Sequence, residues 1–166
     1  PVQRAVRGAF EEATGEESPG WGVDGCSAPN FATTLSGLAR AMAGFAAPGP
    51  GRAGAARARL VAAMIAHPEL VAGEGRACTA LMRACEGRAA VKTGAEGVYV
   101  GILPGRALGF ALKAEDGATR AAEAVAAALL VRLGALDAAH PVAERLTAGV
   151  QRNWRGLATG RIATRL

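Results

Sequence analysis

AAVKTGAEGVYVGILPGRALGFALKA, residues 89–114, decides the fold class. Ala89 to Thr93 and Gly97 to Leu103 are short, β-branched and bounded by glycine, the pattern of strands. Pro104-Gly105-Arg106 is turn chemistry, and Ala107 to Ala114 reads as the returning strand. Val98, Val100 and Ile102 alternate with Tyr99, Gly101 and Leu103, so neither face of that strand is polar. Such a strand suits a sheet covered on both sides. The stretch predicts three consecutive antiparallel strands.

The residues before it read as helices. Val2 to Thr14 places Val2, Val6, Ala9, Phe10 and Ala13 on one face, with Gly15 as its C-cap. Glu16 to Asn30 holds Pro19, Gly20, Gly22, Gly25 and Pro29 and reads as a loop. Ser27 or Asn30 would cap the next helix, on which Phe31, Leu35, Leu38, Met42 and Phe45 keep a helical period. Ala47 to Gly54 is a connection. Ala55 to Ala66 is helical, with Leu60, Val61, Met64 and Ile65 on its buried side. Pro68 suits the first turn of a short helix, and Thr79 to Ala84 forms another. Beyond the strands, Glu115-Asp116-Gly117 leads into a long helix, Ala118 to Leu133, closed by Gly134. A last short helix covers Pro141 to Ala148, and Gln151 to Leu166 reads as a tail or a docked strand. The order predicts one α+β domain: a helical block over 1–86, strand, hairpin and long helix over 87–150, and a tail over 151–166.

Composition narrows the function classes. The chain has 166 residues, 51% of them hydrophobic, enough for a real core. Aromatics are only 4%, so the core must come from Ala, Leu and Val. The net charge is +5, but the arginines are scattered and no aromatic ladder alternates with them. That argues against nucleic acid as a partner. No apolar run reaches bilayer length, because Glu123 and Arg132 interrupt Ala121 to Leu133. Three cysteines without disulfide-framework spacing point to free thiols and a cytoplasmic chain. Pro1 stands where Met would, and an amphipathic pattern starts at once, as in a chain that continues upstream.

Two stretches gather reactive side chains. Val91 to Gly94, VKTG, contains one of only two lysines. K-T-G on a strand is one signature of the serine penicillin-recognising enzymes. Gly94 would let a substrate approach the backbone, with Thr93 beside it. Lys92 would supply positive charge or, partly desolvated, a base. An exposed strand-end lysine is the plainer alternative. The companion S-x-x-K is absent: Ser18, Ser27 and Ser36 are followed at that spacing by Trp21, Asn30 and Ala39. Gly22 to Ala32, GVDGCSAPNFA, places Cys26 two residues from Asp24 in a glycine-rich loop. A thiolate there is a metal ligand or nucleophile, or else a small Cys filling a loop. Cys78, at a helix start, is a candidate for a lowered pKa. Cys85 is expected only to pack. His67 and His140 each precede Pro and read as helix-entry residues.

Taken in order, DGCSAPNFA, RACTALM, KTGAEGVYVGILP and ALKAEDG resemble the Rhizobium-type L-asparaginases, the L-asparaginase II family, over nearly the whole chain from Pro1 to Ile162. The resemblance implies a serine β-lactamase and glutaminase-like fold. It implies hydrolysis of L-asparagine to L-aspartate and ammonia by serine–lysine pairs, a zinc site bound partly by cysteine, and a homodimer. By position, Cys26 matches the zinc-ligating cysteine and Asp24 the aspartate of the same loop. Lys92 matches the lysine that partners a catalytic serine, and Cys78 a cysteine beside the site.

The departure is equally clear. The catalytic serines, the S-x-x-K lysine and the other zinc ligands belong to a segment preceding these residues in the family. The chain therefore reads as the C-terminal portion, inactive alone, with an open sheet edge. Its rival is a truncated, non-catalytic paralogue serving as an interaction module.

Overall fold

The computed structural model describes all residues, 1–166, and is an α+β structure with seven helices and three small antiparallel sheets. The central sheet has the order β3-β4-β5, formed by Ala90–Thr93, Val98–Leu103 and Leu108–Lys113. Its register pairs Lys92 with Val100 and Gly101 with Phe110. These are the three strands expected, each trimmed by a residue or so.

Helices cover both faces. On one side lie α2 (Leu35–Ala46) and α3 (Gly51–Ala66); on the other lie α5 (Ala77–Ala84), α6 (Thr119–Arg132) and α7 (Pro141–Thr147). A short α4 (Pro68–Ala72) precedes α5. The core lies mainly between the sheet and α5–α7: Leu81, Cys85, Val91, Tyr99, Leu103 and Leu130 are almost fully buried. Small residues make that layer thin. Ala122, Ala126 and Ala127 bring α6 close to β4. On the other face, Gly109 admits α2: a Cβ there would sit 2.2 Å from the Ala43 nitrogen.

Several expectations need correction. The presumed loop of residues 16–30 contains a hairpin, β1 (Trp21–Val23) with β2 (Pro29–Phe31). Phe31 therefore lies on β2 and not on α2. Neither Ser27 nor Asn30 caps α2; the Thr34 side chain does, accepting the Gly37 N–H at 2.9 Å. The α3 helix starts four residues earlier than the alanine run suggests, at Gly51. Leu60, expected on its buried side, is exposed. The apolar stripe of α1 (Val2–Thr14) is largely uncovered, with Val2 and Val6 exposed and Thr14 its one buried residue. The short helix expected after α6 is present as α7, whereas the stretch read as a tail or a docked strand carries a second hairpin, β6 (Val150–Arg152) with β7 (Ala158–Arg161). Strands β1, β6 and β7 are exposed and β2 is half-buried only at Pro29 and Phe31, and runs of three or four residues are too short to display a strand period. No helix is long and apolar enough to cross a membrane.

Candidate active site

The K-T-G residues stand at the end of β3, an edge strand. Gly94 donates its N–H to Val98 O at 2.8 Å, which closes the turn into β4. Antiparallel alternation then directs the Lys92 N–H toward β4 and the Thr93 N–H outward. That outward amide is not free. It donates to Cys78 Sγ at 3.3 Å, and the same sulfur lies 3.1 Å from the Tyr99 hydroxyl. Cys78 and Tyr99 are both buried, so α5 holds the free edge of β3 through one thiol. Burial pushes the Tyr99 phenol far above its ordinary range, and the neighbouring Cys78 adds to the shift. Tyr99 was not singled out in the sequence, because its strand period marks it only as a core residue.

Lys92 itself is exposed. Its Nζ donates to the Thr93 carbonyl at 2.6 Å, folding the side chain back over its own strand. The aliphatic stem borders an apolar hollow of about 250 Å³ with Met42, Phe45, Met64 and Val100. Gly94 opens on a different cleft, of about 520 Å³, shared with Phe10, Asn30, Phe31, Leu38 and Val98. Here the base of the β1–β2 hairpin faces the K-T-G turn. The glycine has a packing role too: a Cβ at Gly94 would lie 3.1 Å from that of Val98.

Asp24 and Cys26 sit at the tip of the β1–β2 hairpin. The tip is closed by Asp24 N–H to Ala28 O and Ser27 N–H to Asp24 O, both 2.8 Å. Asp24 Oδ1 accepts the Gly25 N–H, and Cys26 Sγ lies 3.6 Å from Asp24 Oδ2. Cys26 is exposed, so the loop-filling reading of that residue does not describe it. The pair offers one sulfur and one carboxylate. No third His, Cys, Asp or Glu joins them, and a zinc site takes four ligands, or three and a water. These residues alone do not make one.

A half-buried node around Ser18 roots the hairpin. Glu11 Oε1 accepts the Ser18 N–H at 2.9 Å, Arg7 donates to the Ser18 carbonyl at 3.2 Å, and the Ser18 hydroxyl lies 2.8 Å from the carbonyls of Gly20 and Ala32. Beside it, the Glu16 carboxylate accepts the hydroxyls of Thr33 and Thr34 and the Thr34 N–H. These bonds hold Glu16 below the usual carboxylate range, the Thr34 hydroxyl foremost. Arg7 does the same for Glu11. A Thr directly before an apolar-periodic helix was the one legible signal here.

The remaining candidates behave as structural residues. Burial pushes the Cys85 thiol up to about 11. His140 caps α7 by accepting the Val142 N–H at Nδ1, and His67 precedes α4, so both are helix-entry residues.

No curated protein matches the chain. A family model described as L-asparaginase II matches residues 1–164. With that match over nearly its whole length, the chain belongs to the L-asparaginase II family.

Proposed function

We propose that this chain forms one wall of an amidohydrolase site for L-asparagine, releasing L-aspartate and ammonia by serine–lysine acyl transfer. The observation that carries the reading is the family match over residues 1–164, which includes both DGCSAPNFA and KTGAEGV. A serine hydroxyl would attack the side-chain amide carbonyl, expel ammonia and leave an acyl-enzyme for water to cleave. Lys92, as the neutral amine, would take the proton from that serine and return it to the departing nitrogen. Its Nζ now donates to a backbone carbonyl that a substrate or serine would replace. Thr93 and Gly94 would line the substrate, and Asp24 would help orient its polar groups. Cys78 would hold the β3 edge from behind.

The strand's own amides are poor candidates for the oxyanion. Thr93 N–H is bonded to Cys78 and Gly94 N–H to Val98. The donors for that charge belong elsewhere.

Cys26 would be a zinc ligand only once further donors complete the set. The reacting serine, its S-x-x-K partner and those donors would come from a segment preceding these residues, in a β-lactamase-like fold acting as a cytoplasmic homodimer. The helix–sheet–helix layering with an edge K-T-G strand supports that reading.

Ammonia release from L-asparagine decides it. The 166-residue chain and an upstream-extended form would be assayed side by side, each with zinc. Activity in the extended form alone is the expected result. Activity in the short chain would place the nucleophile among its own residues, with Cys26 and Ser27 first. Silence in both would overturn the enzymatic reading in favour of an interaction module.

A further inference from the structure

Only two of the 19 basic residues of the chain are lysines, Lys92 and Lys113. The strand register places both on one face of the central sheet. Lys92 stands opposite Val100, and Val100 opposite Ala111. In the neighbouring row, Gly94 N–H meets Val98 O and Val98 stands opposite Lys113. Residues two apart on a strand share a face. The lysines therefore lie on the side of Gly109, where α2 covers the sheet, while Tyr99 and Leu112 take the other side. Two strand spacings and one two-residue step put the lysine Cα atoms roughly 12 Å apart.

The two side chains hold the same pose. Each Nζ donates to the carbonyl of the following residue at 2.6 Å, Lys92 to Thr93 and Lys113 to Ala114. Neither has a carboxylate partner, since the ion pairs of this chain are made by arginines and His67. Lys113 lacks one although Glu115 and Asp116 follow within three residues; Asp116 accepts the Ala118 N–H instead.

Lys113 also lines the cleft of about 520 Å³ on which Gly94 opens, and it is the one charged side chain among the residues lining it. Phe10, Phe31, Leu38 and Val98 make much of the wall apolar. Glu16, bonded to the lining residues Thr33 and Thr34, is itself paired with Arg40 at 3.7 Å. An apolar cleft with one unpaired cation fits a small ligand carrying one carboxylate.

We propose that Lys113 receives the α-carboxylate of the substrate in this cleft and so sets specificity for an amino-acid amide. The proposal rests on the asparaginase reading above for the identity of that substrate. Lys113 Nζ would exchange the Ala114 carbonyl for a carboxylate oxygen, a stronger, charge-assisted bond. A point charge on a flexible four-carbon stem suits that exchange. One lysine would then serve the amide end of the substrate and the other its carboxylate end.

Kinetics of the upstream-extended form test this with two compounds. 3-Aminopropanamide is L-asparagine without its carboxylate. Lys113→Met should lower kcat/KM for L-asparagine by about tenfold or more, chiefly through KM. It should shift 3-aminopropanamide, as substrate or competitor, by no more than about twofold. Lys113→Arg should recover part of the loss. Equal losses on both compounds would make Lys113 a structural residue, and no loss on either would make it a solvated lysine. Each result overturns the proposal while asparagine hydrolysis stands. An extended form that cleaves no L-asparagine overturns the asparaginase reading, and NMR titration of the 166-residue chain with L-asparagine then decides the anchor. Saturable shifts of the Gly94 and Ala95 amides, abolished by Lys113→Met, would keep Lys113 as a carboxylate site; their absence would overturn it as well.

Discussion

The Cys78 sulfur lies 3.1 Å from the Tyr99 hydroxyl, and both residues are buried behind the β3 edge. Removing either partner has unequal consequences. Cys78→Ala strands a buried phenol and the Thr93 amide, so it should cost about 1–3 kcal/mol. Tyr99→Phe leaves a weakly polar thiol that still accepts the Thr93 N–H, and should cost less, about 0.5–1.5 kcal/mol. The double variant should lose less than the sum of the two. Urea unfolding of the four proteins checks this, and strict additivity would refute the pairing.

Thiol labelling separates the three cysteines. Cys26 is exposed, whereas Cys78 and Cys85 are buried, with Cys85 pushed up to about 11. A disulfide reagent at neutral pH should therefore label one thiol rapidly in the folded chain and three after unfolding. Cys26→Ser should abolish the rapid phase. Two rapid equivalents in the wild type would contradict the burial.

Gly109 is the point where α2 reaches the sheet. A Cβ at this residue would collide with the Ala43 nitrogen at 2.2 Å, a backbone atom that no rotamer change can move. Gly109→Ala should destabilise by about 1–3 kcal/mol, as overpacking does. Gly105→Ala is the control, since nothing lies within 4 Å of that position. Equal melting temperatures for the two variants would count against the close approach.

Lys92 offers a clean separation of stability from activity. Its side chain is exposed and bonds only to the adjacent carbonyl. Lys92→Ala should change stability by no more than about 0.5 kcal/mol. In the catalytically competent form it should lower turnover by orders of magnitude. Near-normal ammonia release from Lys92→Ala would remove Lys92 from the mechanism.

Glu16 should shape the acid limb of unfolding. Its folded-state pKa lies below the ordinary value of 4.5, through the Thr34 and Thr33 bonds. A depressed carboxylate stabilises the fold above its unfolded pKa and loses that contribution as pH falls through the folded one. Glu16→Gln should thus lower stability at neutral pH and flatten its decline below about pH 4.5. An unchanged acid limb would mean that Glu16 titrates alike in both states.

Much of the frame was determined by sequence alone, for a local reason. The central strands, α6 and α7 lie within a residue or so of their expected positions, because glycine, proline and β-branched residues act through backbone sterics within a few residues. The family was legible too, since DGCSAPNFA and KTGAEGV are specific as strings. The tertiary structure decided what depends on distant partners. The strands of the β1–β2 hairpin are three residues each, too short to display a period, and its root is held by Glu11 and Ser18, seven residues apart, so propensity could not announce it. The same holds for Tyr99 against Cys78, 21 residues away, and for the Thr93 amide that this thiol occupies. Strand period told only that Tyr99 would be buried. Which atom its hydroxyl meets is set by how α5 closes on the sheet edge, and no local pattern encodes that approach.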